Sequence, residues 1–434
     1  MSYKDTVFYK KNKAYFVNSK AQNLSSDGGI LIAEHVEKQC RIIKNTSDTF
    51  VDNRNQNYVT HSYYDMLKQR VYGILLGYED ANDVEKLKQD ALIKEILDEK
   101  LASQPTISRF ENSFDKTQVF RTLYAWIDKY IISLKGRKKV TIDIDGTDAQ
   151  TYGHQQLSLF NGFYGHFMYN ELFFHDGETG QIITPVLRPG NAHSNWWYVS
   201  ILKRIIKRIY AQYPDIEIFI RADSGFSTPV FYKFAREYKL KYTIAIASNA
   251  VLKRKTQLLS NCVSYSYVKK GMKKQVFTNG FDYQAESWEQ SEKCYAKVES
   301  TGKGLNIRYF ISNFEDKSAR EIYFDFYVKR GDTSENRIKE VKNMCFSDRL
   351  SDSNFHANFL RLIISSLAYE IMLLIKEKIK KVTKDEQPKK WLVNNIRLFL
   401  FKVAAVVRIT KRRIIISISS TAIYKDLFLS IIRT

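Results

Sequence analysis

Two short apolar strands that each run straight into acid constrain this chain more than any other feature. Val140 to Ile144 (VTIDI) alternates and is β-branched, so it reads as a strand that continues into Asp145-Gly-Thr147-Asp148. Side chains alternate along a strand, so Asp143 and Asp145 share a face. Two like charges held that close are costly unless a cation neutralises them. The second place is Glu217 to Ala222 (EIFIRA), followed at once by Asp223-Ser-Gly-Phe226. Ligand sites in α/β sheets gather at such carboxyl ends. A third acid, Glu335, opens a helical stretch in which Glu335, Lys339 and Lys342 fall at i, i+4 and i+7 on one face. Taken singly, Asp223 could be only a helix cap or turn former, and Glu335 with Lys339 only a surface ion pair. Taken together, the acids are the hard oxygen donors that a pair of Mg²⁺ ions requires.

The rest of the chain frames these positions. Residues 1 to about 135 read mostly as helix: His61 to Gly77, then Asn82 to Leu101, then a helix opening at Thr106 and running to Leu134. From Lys139 strands take over, with Phe160 to Tyr169, Glu171 to His175 and Gln181 to Leu187 after the first. A helix (Asn195 to Tyr213), a strand (Glu217 to Ala222), a helix (Pro229 to Tyr238) and a strand (Tyr242 to Ala247) follow. This order predicts an α/β core with a mixed sheet. Lys253 to Phe314 is polar, basic and β-like, with turns expected at Asn279-Gly280 and Gly302-Lys303-Gly304, and reads as an insertion. A long helix is expected over Asn354 to Lys381, and Gln387-Pro388 breaks the chain before a basic tail. The expected divisions are 1–135, 136–252, 253–315, 316–386 and 387–434.

Four cysteines without a CxxC pair and seven scattered histidines argue against a disulfide framework or a zinc centre, and fit a reducing cytoplasm. The N-terminus, Met-Ser-Tyr-Lys-Asp, lacks the apolar run of a secretory signal. The most apolar stretch, Leu360 to Ile375, is interrupted by Arg361 and Glu370, which predicts a buried helix over a membrane span. The formal net charge is +21, and Lys376 to Thr434 alone holds 15 basic and 4 acidic residues, a net of +11. Such a concentration is the electrostatic footprint of a polyanion partner.

In this order, IDIDGTDAQTYGHQQ, LRPGNAHSN, IRADSGF and RGDTSENRIKEVKN resemble the DDE insertion-sequence transposases of bacteria. More narrowly they resemble the group whose last acid lies in a Tyr-Arg-Glu-Lys signature, and ASQPTISRFEN (Ala102 to Asn112) is similar to that group's N-terminal region. The resemblance runs from about His61 to Lys342. It implies an α/β fold with an RNase H-like mixed-sheet core, a β-rich insertion, a helical, DNA-binding N-terminal domain and a basic helical C-terminal region. It also implies Mg²⁺-dependent cleavage at the element's ends and strand transfer into target DNA, with two Mg²⁺ ions, or Mn²⁺ as a substitute. Carried onto this chain, the metal-binding acids are Asp145, Asp223 and Glu335, with Asp143 as the alternative first acid. Tyr327, Arg330 and Lys342 fill the other signature positions, although four residues rather than the usual three separate Arg330 from Glu335. Lys339, Arg188 and Trp288 are candidate DNA contacts, Trp288 by stacking on a base. The implied partner is double-stranded DNA, bound by a homodimer or larger assembly at the bacterial nucleoid. The rival readings are a DNA-binding protein that has lost catalysis and an RNase H-like nuclease without strand transfer.

Overall fold

The computed structural model describes residues 6–10, 13–17, 19–98, 101–193, 195–331 and 336–434. Its first layer is helical, with Tyr63–Leu76 (α1), Gln104–Asn112 (α2) and Lys116–Ser133 (α3) as the main elements. Helix α1 begins in a capping box between Ser62 and Asp65 and stops at Gly77, whose φ of 91° is left-handed. The helix expected from Thr106 to Leu134 is two helices, because the Asp115 carboxylate accepts the Gln118 N–H and starts α3 afresh. The amphipathic stretch after Asn82 likewise breaks into Val84–Leu87 and Ala91–Ile96, with Asp90 capping the second.

The central sheet begins with β1 (Lys139–Gln150), β2 (His166–Asp176) and β3 (Ile182–Arg188), an antiparallel meander. Helix α4 (Tyr198–Gln212) leads to β4 (Glu217–Ala222), and α5 (Pro229–Glu237) leads to β5 (Lys241–Ile246). Strands β4 and β5 run parallel to β1, giving the order β3-β2-β1-β4-β5, which is the RNase H-like arrangement. The core is mixed α/β as expected. Ile142, Ile144, Ile218 and Ile220 of the sheet pack with Leu202, Ile205 and Ile209 of α4. The break expected at Asn170 falls earlier: a short strand, Leu159–Asn161, precedes β2 and pairs with it, and β2 itself runs through Asn170. Asn170 and Glu171 look like an interruption in sequence, yet both stay in register, opposite Asp148 and Thr147, and both are buried.

The insertion differs from expectation in two ways. Its first third is helical, as Ala250–Lys255 (α6) and Gln257–Lys269 (α7). Its strands, β6 (Gln275–Tyr283), β7 (Glu292–Thr301) and β8 (Gly304–Ser312), extend the central sheet, because β8 pairs with β5 from Tyr309↔Ile246 to Ser312↔Thr243. Asn279-Gly280 makes no turn and lies inside β6. Gly280 is needed there because a Cβ would sit 2.9 Å from the Tyr295 ring across the ladder. The turn at Gly302-Lys303-Gly304 is present, with Gly304 at φ 100°.

Helix α8 (Phe355–Val382) is long and apolar enough to cross a membrane, but 83% of its most apolar window is buried inside the molecule. The chain beyond it is helical in part, over Glu386–Lys389, Val393–Ile396 and Arg397–Phe401, but it also contains an unexpected hairpin, β9 (Ala405–Ile409) and β10 (Ile414–Ile418), before a last helix α9 (Lys425–Arg433). Strand β9 pairs with Leu24–Ser25, and Gly28 and Gly29 donate to the carbonyls of Val403 (2.9 Å) and Phe401 (3.1 Å). A Cβ on Gly29 would lie 2.2 Å from Phe401 Cα, so only glycine permits this approach. Val393, Ile396, Phe401, Phe428 and Ile431 join Val36, Leu67 and Leu367 in one core. The N- and C-terminal segments therefore share one hydrophobic core.

Candidate active site

Strands β1 and β4 are parallel neighbours with Asp143 opposite Arg221 and Ile144 opposite Ala222. The next residues, Asp145 and Asp223, therefore lie side by side where β4 ends, with Asp145 still paired to Phe173 of β2. Arg330 Nη2 lies 3.0 Å from Asp145 Oδ2 and 3.8 Å from Asp223 Oδ2, so one buried guanidinium spans both carboxylates. Asp145 and Asp223, 78 positions apart in sequence, are together. The second Asp223 oxygen accepts the Gly225 N–H at 2.8 Å and caps the turn Ser224–Phe226. Turn former and site acid are thus the same residue, with one oxygen for each task. A cleft of about 470 Å³ opens beside Gly146 and Asp223, walled by Asn161, Tyr164, Asn170 and Arg188. A groove of about 500 Å³ between α3, α4 and α8 is apolar and contains no acid.

Asp143, the alternative first acid, is occupied by other partners on the same face of the strand. It is fully buried, and its two oxygens accept from Arg221 Nε (2.6 Å) and Nη2 (2.7 Å), with Arg337 at 3.8 Å. It ties β1 to β4 and does not face the cleft. Glu335 lies outside the described residues, as do Asp332, Thr333 and Ser334. The chain before it is π-helical over Ile322–Tyr327 and again at Gly331. A π turn absorbs one extra residue into a helix, and such turns are common at functional sites. Beyond Glu335, Asn336–Lys339 is α-helical and Glu340–Met344 is π-helical, which shifts the phase assumed for a regular helix. Lys339 is exposed, whereas Lys342 reaches β1, with Nζ 2.7 Å from Asp148 Oδ1 and 3.4 Å from Thr147 Oγ1. Among the described residues no cluster of three metal-ligating side chains is assembled.

Tyr327 stacks on Phe310, and its hydroxyl is pushed above the usual tyrosine range, chiefly by burial. Arg188 presents no charge outward. It is fully buried, donates to Asn170 Oδ1 and to the carbonyls of His193 and Trp196, and burial lowers its guanidinium to about 10. It shapes the wall of the cleft. Trp288 is core as well, wedged against Tyr232 (4.9 Å) and Tyr283 (5.3 Å), so it offers no face to a base. Trp196 and Trp197, in contrast, are exposed.

Sequence reasoning missed three residues here. His166 Nε2 meets Asp148 Oδ2 at 3.1 Å, opposite Lys342. Burial raises the Asp148 carboxyl, but Lys342 outweighs it and holds the group below the usual range. Tyr164 is pushed up by burial and by Asp148, Asp145 and Asp223, which marks it as a neighbour of all three acids. Glu171, across from Thr147, is fully buried, and burial lifts its carboxyl to about 8 against a Ser347 hydroxyl bond that lowers it. The unfolded chain releases that proton near 4.5 and the folded chain only near 8. Folding stability should therefore fall as pH rises between those values, by about 1.4 kcal/mol per pH unit for this group. Urea melts of Glu171→Gln at pH 5 and pH 7.5 should show that slope removed. A wild-type-to-variant difference independent of pH would mean Glu171 is not held neutral.

No curated protein matches the chain. Among solved structures, the cryo-EM structure of a piggyBac transposase synaptic complex with hairpin DNA is similar at 12% identity and a TM-score of 0.43, covering 86% of this chain and 80% of that one. The family described as "Transposase DDE domain group 1" matches residues 8–434. That match runs through the strands carrying Asp145 and Asp223, and the chain belongs to this family of DDE transposases.

Proposed function

We propose that this protein is a DNA transposase that cuts at the ends of its own mobile element and joins those ends to target DNA, with Asp145, Asp223 and Glu335 holding two Mg²⁺ ions. The observation that carries this reading is the shared cation position: two carboxylates from adjacent strands lie 3.0 and 3.8 Å from one guanidinium nitrogen of Arg330. Hard oxygen donors so placed suit a divalent ion, and Mn²⁺ would substitute for Mg²⁺. When bound, such ions stabilise the attacking and leaving oxygens of an in-line displacement at phosphorus. The chain's own residues supply the rest. Arg330, buried beside both acids, and Lys342, held at the cleft by Asp148, bring positive charge to phosphate oxygens. The assembly on double-stranded DNA would be a homodimer or larger.

The test incubates purified protein and Mg²⁺ with a duplex bearing the element's end and a target plasmid. Joined product is the expected result. Cut product alone would leave a nuclease without strand transfer, and a shifted band alone would leave a DNA-binding protein without catalysis.

A further inference from the structure

The hairpin β9–β10 is anchored at one end and bare at the other. Ala405 and Val407 are buried, and β9 pairs with Leu24–Ser25. Beyond them, all eight residues from Arg408 to Ile415 are exposed. The strands stay paired to the end, with Arg408 opposite Ile415 and Ile409 opposite Ile414, and Thr410 and Arg413 close the turn. This is a paired, solvent-exposed tip whose surface carries Arg408, Lys411, Arg412 and Arg413 together with Ile409, Ile414 and Ile415. No acid occurs between Glu386 and Asp426 in sequence. None of the four cations has an acidic partner among the described residues.

Exposed sheet edges are normally shielded, because an open ladder with apolar side chains invites pairing with another chain. Here the clustered like charge opposes pairing with a second copy, since two such tips would bring eight cations together. A polyanion is the complementary partner. The major groove of B-DNA, about 12 Å wide, admits a two-stranded β-ribbon, and apolar side chains can contact thymine methyl groups or wedge at base steps.

We propose that the β9–β10 hairpin enters a groove of duplex DNA, with Arg408, Lys411, Arg412 and Arg413 on phosphates and Ile409 and Ile414 against the base edges. This rests on the reading that the chain acts on DNA. The test uses the full chain and a fluorescent duplex, with affinity measured by anisotropy from 50 to 200 mM salt. Each phosphate contact contributes about 0.9 to the slope of log affinity against log salt, so Lys411→Ala/Arg412→Ala/Arg413→Ala should make the slope shallower by about 2.7. All three positions are exposed, so the variant's thermal melt should match that of the wild type. Ile409→Ser/Ile414→Ser should weaken binding several-fold while leaving the slope unchanged. If the wild type binds the duplex and neither variant changes affinity or slope, the hairpin does not touch DNA and the proposal falls. If the wild type itself fails to bind any duplex, the reading beneath it falls instead. Unchanged DNA binding, with loss of binding to phosphatidylserine vesicles in the triple variant, would overturn the proposal in favour of a membrane surface.

Discussion

Asp145→Asn should reduce DNA cleavage by at least about a thousandfold, a loss of about 4 kcal/mol of transition-state stabilisation. It should cost little stability, because Arg330 keeps Asp223 at 3.8 Å when its 3.0 Å contact to Asp145 is weakened. Asp143→Asn should do the reverse. It strips the charge from a bidentate pair with Arg221 in which both side chains are sealed from water, and Arg337 stands 3.8 Å away as a second cation. Breaking such a buried pair costs about 3–5 kcal/mol. Cleavage time courses and urea melts on the two variants separate the roles. If Asp145→Asn still cleaves while Asp143→Asn is well folded and inactive, the first acid has been assigned to the wrong position on the strand.

Glu335→Gln should likewise lose cleavage by orders of magnitude while its binding to element ends persists, since the substitution keeps size and removes only the charge proposed to hold a metal ion. The natural comparison is Glu340→Gln. An ordinary helix from Glu335 would put Glu340 off the active face, which predicts nearly intact cleavage. The structure adds a cost in stability: Glu340 Oε1 is buried, 2.5 Å from Lys376 Nζ and 2.9 Å from the Val393 N–H. Glu340→Gln should therefore destabilise the fold by about 3 kcal/mol, the low end for a broken buried pair, because Lys376 keeps some contact with water. Protein that remains folded should still cleave. Wild-type cleavage by Glu335→Gln would move the third acid elsewhere in the chain.

What could be read in sequence was local. Alternation and β-branching identified β1, β4 and β5, and the acids that follow two of them, because burial of a strand leaves that pattern wherever it occurs. Whether Asp143 or Asp145 faces the cleft was not legible, since a period of two puts both on one face. The answer comes from Arg221 on the neighbouring strand, a contact 78 positions away. The helices Ala250–Lys255 and Gln257–Lys269 were missed because few of their side chains are buried, leaving little apolar periodicity. The C-terminal segment read as a tail because its charge count masks the small alternating buried set Val403, Ala405 and Val407. Tyr164 and His166 carried no signal at all, as they matter only once β2 has turned back along β1.

The junction of Gly28 and Gly29 with Val403 and Phe401 bears on how the chain is made. At their nearest, these partners are 372 positions apart. At synthesis rates of about 5–20 residues per second, the N-terminal helices wait roughly 20–75 s for the strand that completes their core. For that interval Val36, Leu67 and their neighbours lack the Phe401 and Val393 side chains that cover them in the finished molecule. A prematurely terminated product would keep that apolar surface open permanently, so truncated copies are expected to be cleared by proteases rather than to accumulate as partial, DNA-competing fragments.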